Sequence, residues 1–192
     1  MIGREETVAA LVSRLSRARL VTILGPGGIG KTTVALAVAE AVVSSYEHGV
    51  WLIDLAPLGD ARLVPSAIAT ILDLQIRAAD PLPGLIARLR DKQMLLLLDN
   101  CEHVIEAVAS LAAALLRGAA GITILATSRE PLRIEGEREY RLRPLTSPPP
   151  SAHGRRCDGV PGRAALRGTR ERRRGGLRTE RYRRSARGRY LP

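Results

Sequence analysis

The sequence predicts an α/β fold in which a mainly parallel sheet lies between two layers of helices. Two observations carry that expectation. Four short apolar runs, 20–24 (LVTIL), 50–55 (VWLIDL), 94–98 (MLLLL) and 122–126 (ITILA), lack polar alternation, as strands buried on both faces do. Segments of helical character, 31–44, 62–74, 82–91 and 104–117, alternate with them, and strand–helix alternation is the mark of a parallel sheet with helical crossovers. Pro57, Pro65, Asp80-Pro81 and Pro83-Gly84 punctuate the connections. There is no internal repeat.

The length of 192 residues, with 45% hydrophobic residues, accommodates one ordinary core and not two. No apolar run approaches the roughly 18 residues of a membrane span. The N-terminus also lacks the basic and apolar regions of a signal peptide, so a soluble cytoplasmic chain without a membrane partner is expected. Two cysteines, Cys101 and Cys157, make no disulfide framework and no C-x-x-C pair, which fits a reducing compartment.

The net charge of +11 belongs to one end of the chain. Residues 1–150 hold 16 basic and 16 acidic side chains, whereas residues 151–192 hold 14 arginines against Asp158, Glu171 and Glu180. The two parts are therefore read separately.

The first apolar run leads into Gly25-Pro26-Gly27-Gly28-Ile29-Gly30-Lys31-Thr32-Thr33, which fits G-x-x-x-x-G-K-[ST], the phosphate-binding P-loop. Each part has a task. The glycines let successive backbone N–H groups turn inward around an anion, and the following helix presents its unpaired N–H groups to the same anion. Lys31 is expected at the β- and γ-phosphates, the Thr32 hydroxyl on Mg²⁺, and Thr33 at the α-phosphate. The fold expected is thus a P-loop NTPase three-layer sandwich.

A phosphate cradle that uses Mg²⁺ calls for a hard oxygen ligand on a neighbouring strand end. Asp99 closes the most apolar run and fills that role, so Thr32 and Asp99 are the expected metal pair. Position 100, where many hydrolytic P-loop enzymes carry an acid, is Asn100. Glu102 fits equally well as a water-orienting carboxylate or as an acidic residue in a helical first turn. Cys101 and His103 have no second pair at metal-ligand spacing and are assigned no ligand role. Arg129, after the fourth run, fits either a sensor of the γ-phosphate or a solvated surface cation.

Together, I-G-R-E-E, G-P-G-G-I-G-K-T-T, V-W-L-I-D-L-A-P-L, L-L-L-L-D-N-C-E-H and I-L-A-T-S-R-E-P-L resemble the STAND class of P-loop NTPases. They are most similar to the NB-ARC-like ATPase module of bacterial transcriptional regulators of the SARP and LuxR types. The resemblance covers residues 2 to about 147. It implies that Ile2, Gly3 and Arg4 belong to an adenine-side motif, and that Arg129 is the sensor arginine. The candidate catalytic residues are then Lys31, Asp99, Glu102 and Arg129. The implied cofactors are ATP or ADP with Mg²⁺, and the implied action is a switch that rests with ADP, opens with ATP and need not hydrolyse fast.

The resemblance also implies a helical lid, a winged-helix element and output domains after the module, through which DNA would be reached indirectly. From about residue 148 the composition instead turns to Pro, Arg, Gly and Ala without apolar periodicity, which predicts a disordered basic tail over 148–192. Re-reading GC-rich codons one base out of frame permits S-P-A-V-R-L-F-V-E-R-A over 160–170 and F-A-L-S-D within 177–191, both similar to the family's continuation. The expectation is a fragment: a nucleotide-binding domain at 1–147 followed by an out-of-frame tail. The alternatives are a stand-alone ATP-hydrolysing enzyme and a nucleic-acid-binding protein whose arginine arm grips phosphates.

Overall fold

The computed structural model describes residues 3–76, 80–144 and 181–182. The four apolar runs form its central strands: β1 (Leu20–Leu24), β2 (Val50–Asp54), β3 (Met94–Asp99) and β4 (Ile122–Ser128). All pair in parallel, in the order β1-β4-β3-β2. Two of them run past the apolar residues that announce them. Asp99 stays in the ladder opposite Asp54, and Ser128 opposite Leu24, so polar side chains are carried to the C-terminal edge of the sheet.

Alternate residues of each strand feed two separate cores. Met94, Leu96 and Leu98 of β3, with Ile122, Ile124 and Ala126 of β4, pack under α3 (Val64–Ile71), α4 (Leu82–Leu89) and α5 (Ile105–Gly118). Leu95, Leu97, Leu125, Val21 and Ile23 face the opposite way, against α1 (Glu5–Leu15) and α2 (Lys31–Val42). The five leucine and methionine side chains of β3 are all buried. A period of two with both faces covered is why the run reads as continuously apolar.

Three of the helices, α2, α3 and α4, are shorter than their sequence signals, while α5 keeps its full length. The 31–44 segment leaves α-geometry after Val42 and finishes in a tighter 3₁₀ turn, Val43–Ser45. The 62–74 segment opens as a 3₁₀ turn, Ala61–Leu63, where the Asp60 carboxylate accepts the Arg62 N–H, and it stops at Asp73 with φ +56°. Two elements have no counterpart in the sequence reading. α1 buries Leu11 and Leu15, and β5 (Glu137–Arg141) pairs in parallel with β1 at the sheet edge. Within the basic tail, Arg181–Tyr182 form β6, antiparallel to Val50 and Trp51 of β2. The remainder of the tail read as disordered and out of frame, and Ile2 at the other end, lie outside the described residues.

Candidate nucleotide-binding site

The loop between β1 and α2 turns inward because two of its residues take conformations that suit glycine. Gly28 has φ +76° and Gly30 has φ +94°, the left-handed region that a side chain disfavours. Gly30 also caps α2, with no side-chain hydrogen bond, and the first turn of α2 holds no acidic residue. The sequence thus leaves the N–H groups at this helix end without a side-chain cap among the described residues, as suits an anion site.

Lys31 is buried at 7% exposure. Its ammonium donates to the carbonyls of Gly25 at 2.9 Å and Pro26 at 3.2 Å. These are neutral partners, so the cation stays available to an entering phosphate. Thr33 stands exposed on the same turn.

Thr32 Oγ1 lies 2.9 Å from both carboxylate oxygens of Asp99. β4, inserted between β1 and β3, adds a second partner, because Thr127 Oγ1 donates to Asp99 Oδ1 and accepts the Asn100 N–H at 3.1 Å. Asp99 itself is buried, at 4% exposure. The set is made of hard oxygen donors and faces the phosphate loop, which suits Mg²⁺ held by one carboxylate, a hydroxyl, phosphate oxygens and water. Among the described residues no cluster of three or more Asp, Glu, His or Cys can hold a metal by itself, so phosphate oxygens and water are the further ligands such an ion needs.

Arg129 follows β4 and lies across the loop. Its Nε donates to Glu102 Oε1 at 3.1 Å, and its Nη2 is 3.2 Å from the point where a Gly27 side chain would begin. Glu102 is thereby the partner of Arg129. Its second oxygen is buried and without a hydrogen bond among the described residues. Next to it, Cys101 is fully buried, with its thiol directed at the Leu98 carbonyl. Burial, then the nearby charges of Asp99 and Glu102, push that thiol far above the usual range, so it is no nucleophile.

Arg4 reaches the site from the chain start. Its guanidinium, 7% exposed, donates to the carbonyls of Ile29 at 3.2 Å and Arg143 at 2.7 Å. The Gly3-Arg4 turn thus sits against the phosphate loop. Sequence reading assigned no role to Asp54, Thr127 or the Asn100 side chain, all of which the sheet edge brings to Asp99. Asn100 Nδ2 donates to Asp54 Oδ1 at 3.0 Å and to Asp99 Oδ2 at 3.2 Å. The signal available was register, since Asp54 stands near the end of the second apolar run and Asp99 directly after the third. A cavity of about 680 Å³ also opens by Tyr46, Trp51, Leu72 and Met94. It lies at the N-terminal ends of β2 and β3, away from this cluster.

The chain matches the NB-ARC domain over residues 4–132. It belongs to the NB-ARC family. An uncharacterized protein of Mycobacterium tuberculosis is 36% identical over 149 residues, which is 76% of this chain and 37% of that protein. Another protein of the same organism, named as a candidate HTH-type transcriptional regulator, is 38% identical over 129 residues, covering 67% of this chain and 14% of the relative. This NB-ARC chain therefore spans little more than a third of the first relative's length and about a seventh of the second's. Among solved structures, Cdc6p of Pyrobaculum aerophilum superimposes with a TM-score of 0.55 at 19% identity, covering 72% of this chain and 45% of that one. A signal transduction ATPase with numerous domains and a tetratricopeptide repeat sensor, from Pyrococcus horikoshii, gives 0.52 at 16% identity, covering 74% and 23%. These likenesses confirm the P-loop α/β fold. Among the described residues no helix is long and apolar enough to cross a membrane.

Proposed function

We propose that this NB-ARC chain is the nucleotide-operated switch of a signal-responsive regulator, binding ATP or ADP with Mg²⁺ at the loop before α2. The observation that carries the reading is the contact of Thr32 with both oxygens of Asp99 at 2.9 Å, beside a lysine and a helix end that have no anionic partner among the described residues. In this reading the module occupies 1–147 and the basic tail, 148–192, is an out-of-frame addition. DNA contact belongs to other domains, a view supported by the relative named as a candidate HTH-type regulator.

Each residue then has a task. The loop N–H groups from Gly27 to Gly30 surround the β-phosphate, and Lys31 leaves the Gly25 and Pro26 carbonyls to neutralise phosphate charge. Thr32 and Asp99 hold Mg²⁺, which when bound offsets the negative charge of the phosphates. Arg129 senses the γ-phosphate, exchanging the Glu102 carboxylate for it. The gain of that contact is the difference between the ATP and ADP states. Gly3 and Arg4 flank the base side of the loop.

Titration of the full chain with fluorescent ATP and ADP analogues tests this. Binding that weakens at least about 30-fold in Lys31→Ala, and that falls on chelation of Mg²⁺ in the native chain but not in Asp99→Asn, is the expected result. Absence of binding by the native chain overturns the reading.

A further inference from the structure

The edge of the sheet that carries Asp99 presents three carboxylates, and they are not equally engaged. Asp99 accepts from Thr32 and Asn100 and from Thr127, so both of its oxygens are occupied. Without nucleotide, Glu102 has one oxygen on Arg129 and the other buried. Release of Arg129 to the γ-phosphate makes Glu102 the rival base, so hydrolysis at the native rate in Glu102→Gln is required of the proposal below. Asp54 is different. It ends β2 directly opposite Asp99 in the parallel ladder and is half-buried. Its Oδ1 accepts from the Ala56 N–H at 3.0 Å and from Asn100 Nδ2 at 3.0 Å, while nothing among the described residues donates to Oδ2.

Asn100 is the hinge of this arrangement. Its backbone takes the left-handed conformation, φ 60° and ψ 50°, which asparagine tolerates better than most residues. Its amide then bridges Asp54 and Asp99. An amide cannot take a proton from water near neutral pH, so residue 100 itself cannot serve as a base. It can hold a carboxylate that does, one strand further along the sheet.

We propose that Asp54 is the general base for ATP hydrolysis in this chain, with Asn100 as the residue that positions it. The step is in-line displacement: a water oxygen bonds to the γ-phosphorus, the bond from the γ-phosphorus to the β–γ bridging oxygen breaks, and a water proton passes to Asp54 Oδ2. ADP and inorganic phosphate leave, and Asp54 returns the proton to solvent. The proposal rests on the nucleotide-binding reading above.

The test separates the two. The full chain and its Asp54→Asn variant are compared for equilibrium ATP binding and for single-turnover hydrolysis at saturating ATP. The substitution preserves size and leaves an oxygen to accept at the Oδ1 position. The expected result is hydrolysis slowed by about 100-fold or more with the ATP Kd moved less than about threefold. Partial recovery of the rate in Asp54→Glu, with its carboxylate restored, supports the assignment. Hydrolysis at the native rate in Asp54→Asn overturns it, and so does a parallel loss of binding and hydrolysis, which reduces Asp54 to a support for Asn100. A native chain that binds ATP and does not hydrolyse it also overturns the proposal while leaving the switch intact. A native chain that binds no nucleotide removes the reading beneath it.

Discussion

Arg129 and Glu102 are joined by an ion pair at 3.1 Å, Nε to Oε1, directly over the backbone of Gly27. The arginine is 65% exposed and the glutamate 21%, so the pair lies at the surface, where such contacts are worth about 0.2–1 kcal/mol. It is weak enough to be exchanged. If Arg129 leaves Glu102 for the γ-phosphate, Glu102→Gln lowers the cost of the exchange and raises ATP affinity relative to ADP by about two- to fivefold. Parallel titrations with the two nucleotides check this, and an unchanged ratio counts against the exchange.

Lys31 is a buried cation satisfied by two carbonyls. A hydrophobic side chain of similar length removes a desolvation cost along with the hydrogen bonds. Lys31→Met should therefore melt within about 1 kcal/mol of the native chain when no nucleotide is present. The native chain gains about 2.7 kcal/mol at a ligand concentration 100 times Kd, and the variant should gain none. Thermal melts with and without Mg-ATP distinguish the two.

Gly121 is a structural position with no part in the site. A Cβ there would collide with the Lys92 carbonyl oxygen, at the end of β4 remote from the phosphate loop. Backbone must shift to accept it, and such overpacking costs about 1–3 kcal/mol. Gly121→Ala should lower Tm by several degrees, roughly 2–4 °C per kcal/mol, and leave the ATP Kd unchanged. A shifted Kd in the still-folded variant contradicts this separation.

The buried Cys101 thiol gives a pH prediction with a definite sign. Its native pKa is raised, chiefly by burial and then by the charges of Asp99 and Glu102, whereas an unfolded cysteine ionises near about pH 8.5. The native state keeps a proton that the unfolded state loses at high pH. The contribution of Cys101 to stability is therefore full below about pH 8.5 and declines as pH rises above it. Cys101→Ala should flatten the fall in stability between about pH 8.5 and 10. Mass mapping after alkylation at pH 8 should find Cys101 unmodified until the chain unfolds.

The sequence made some parts of this molecule plain because one physical signal dominated them. The buried strands read directly from their apolar runs, and the phosphate loop from its glycines. β5 was hidden because Glu137–Arg141 is an edge strand with exposed charges, and its pairing comes from β1 beside it. α1 carried a fainter signal in Glu5 and Glu6 at its first turn and Arg14 in its last, the charge order that suits a helix. Arg14 also lies 5.2 Å from the Tyr140 ring and donates to the Glu139 carbonyl at 2.8 Å, so α1 and β5 steady each other through contacts that no local pattern announces. Thr32 and Asp99 were each legible alone. The meeting of Asp54, Asn100 and Thr127 around them depends on strand order, which brings together residues 54, 99 and 127 from three separate strands.

The two carbonyls held by Arg4 mark the phosphate loop at Ile29 and the departure of the chain from the sheet at Arg143. A guanidinium is a rigid plate with its donors at fixed angles, so the separation of those two points is gauged by one side chain. Through that plate the phosphate loop and residue 143, just past the last residue of β5, are tied to one another by a single side chain rather than by the sheet.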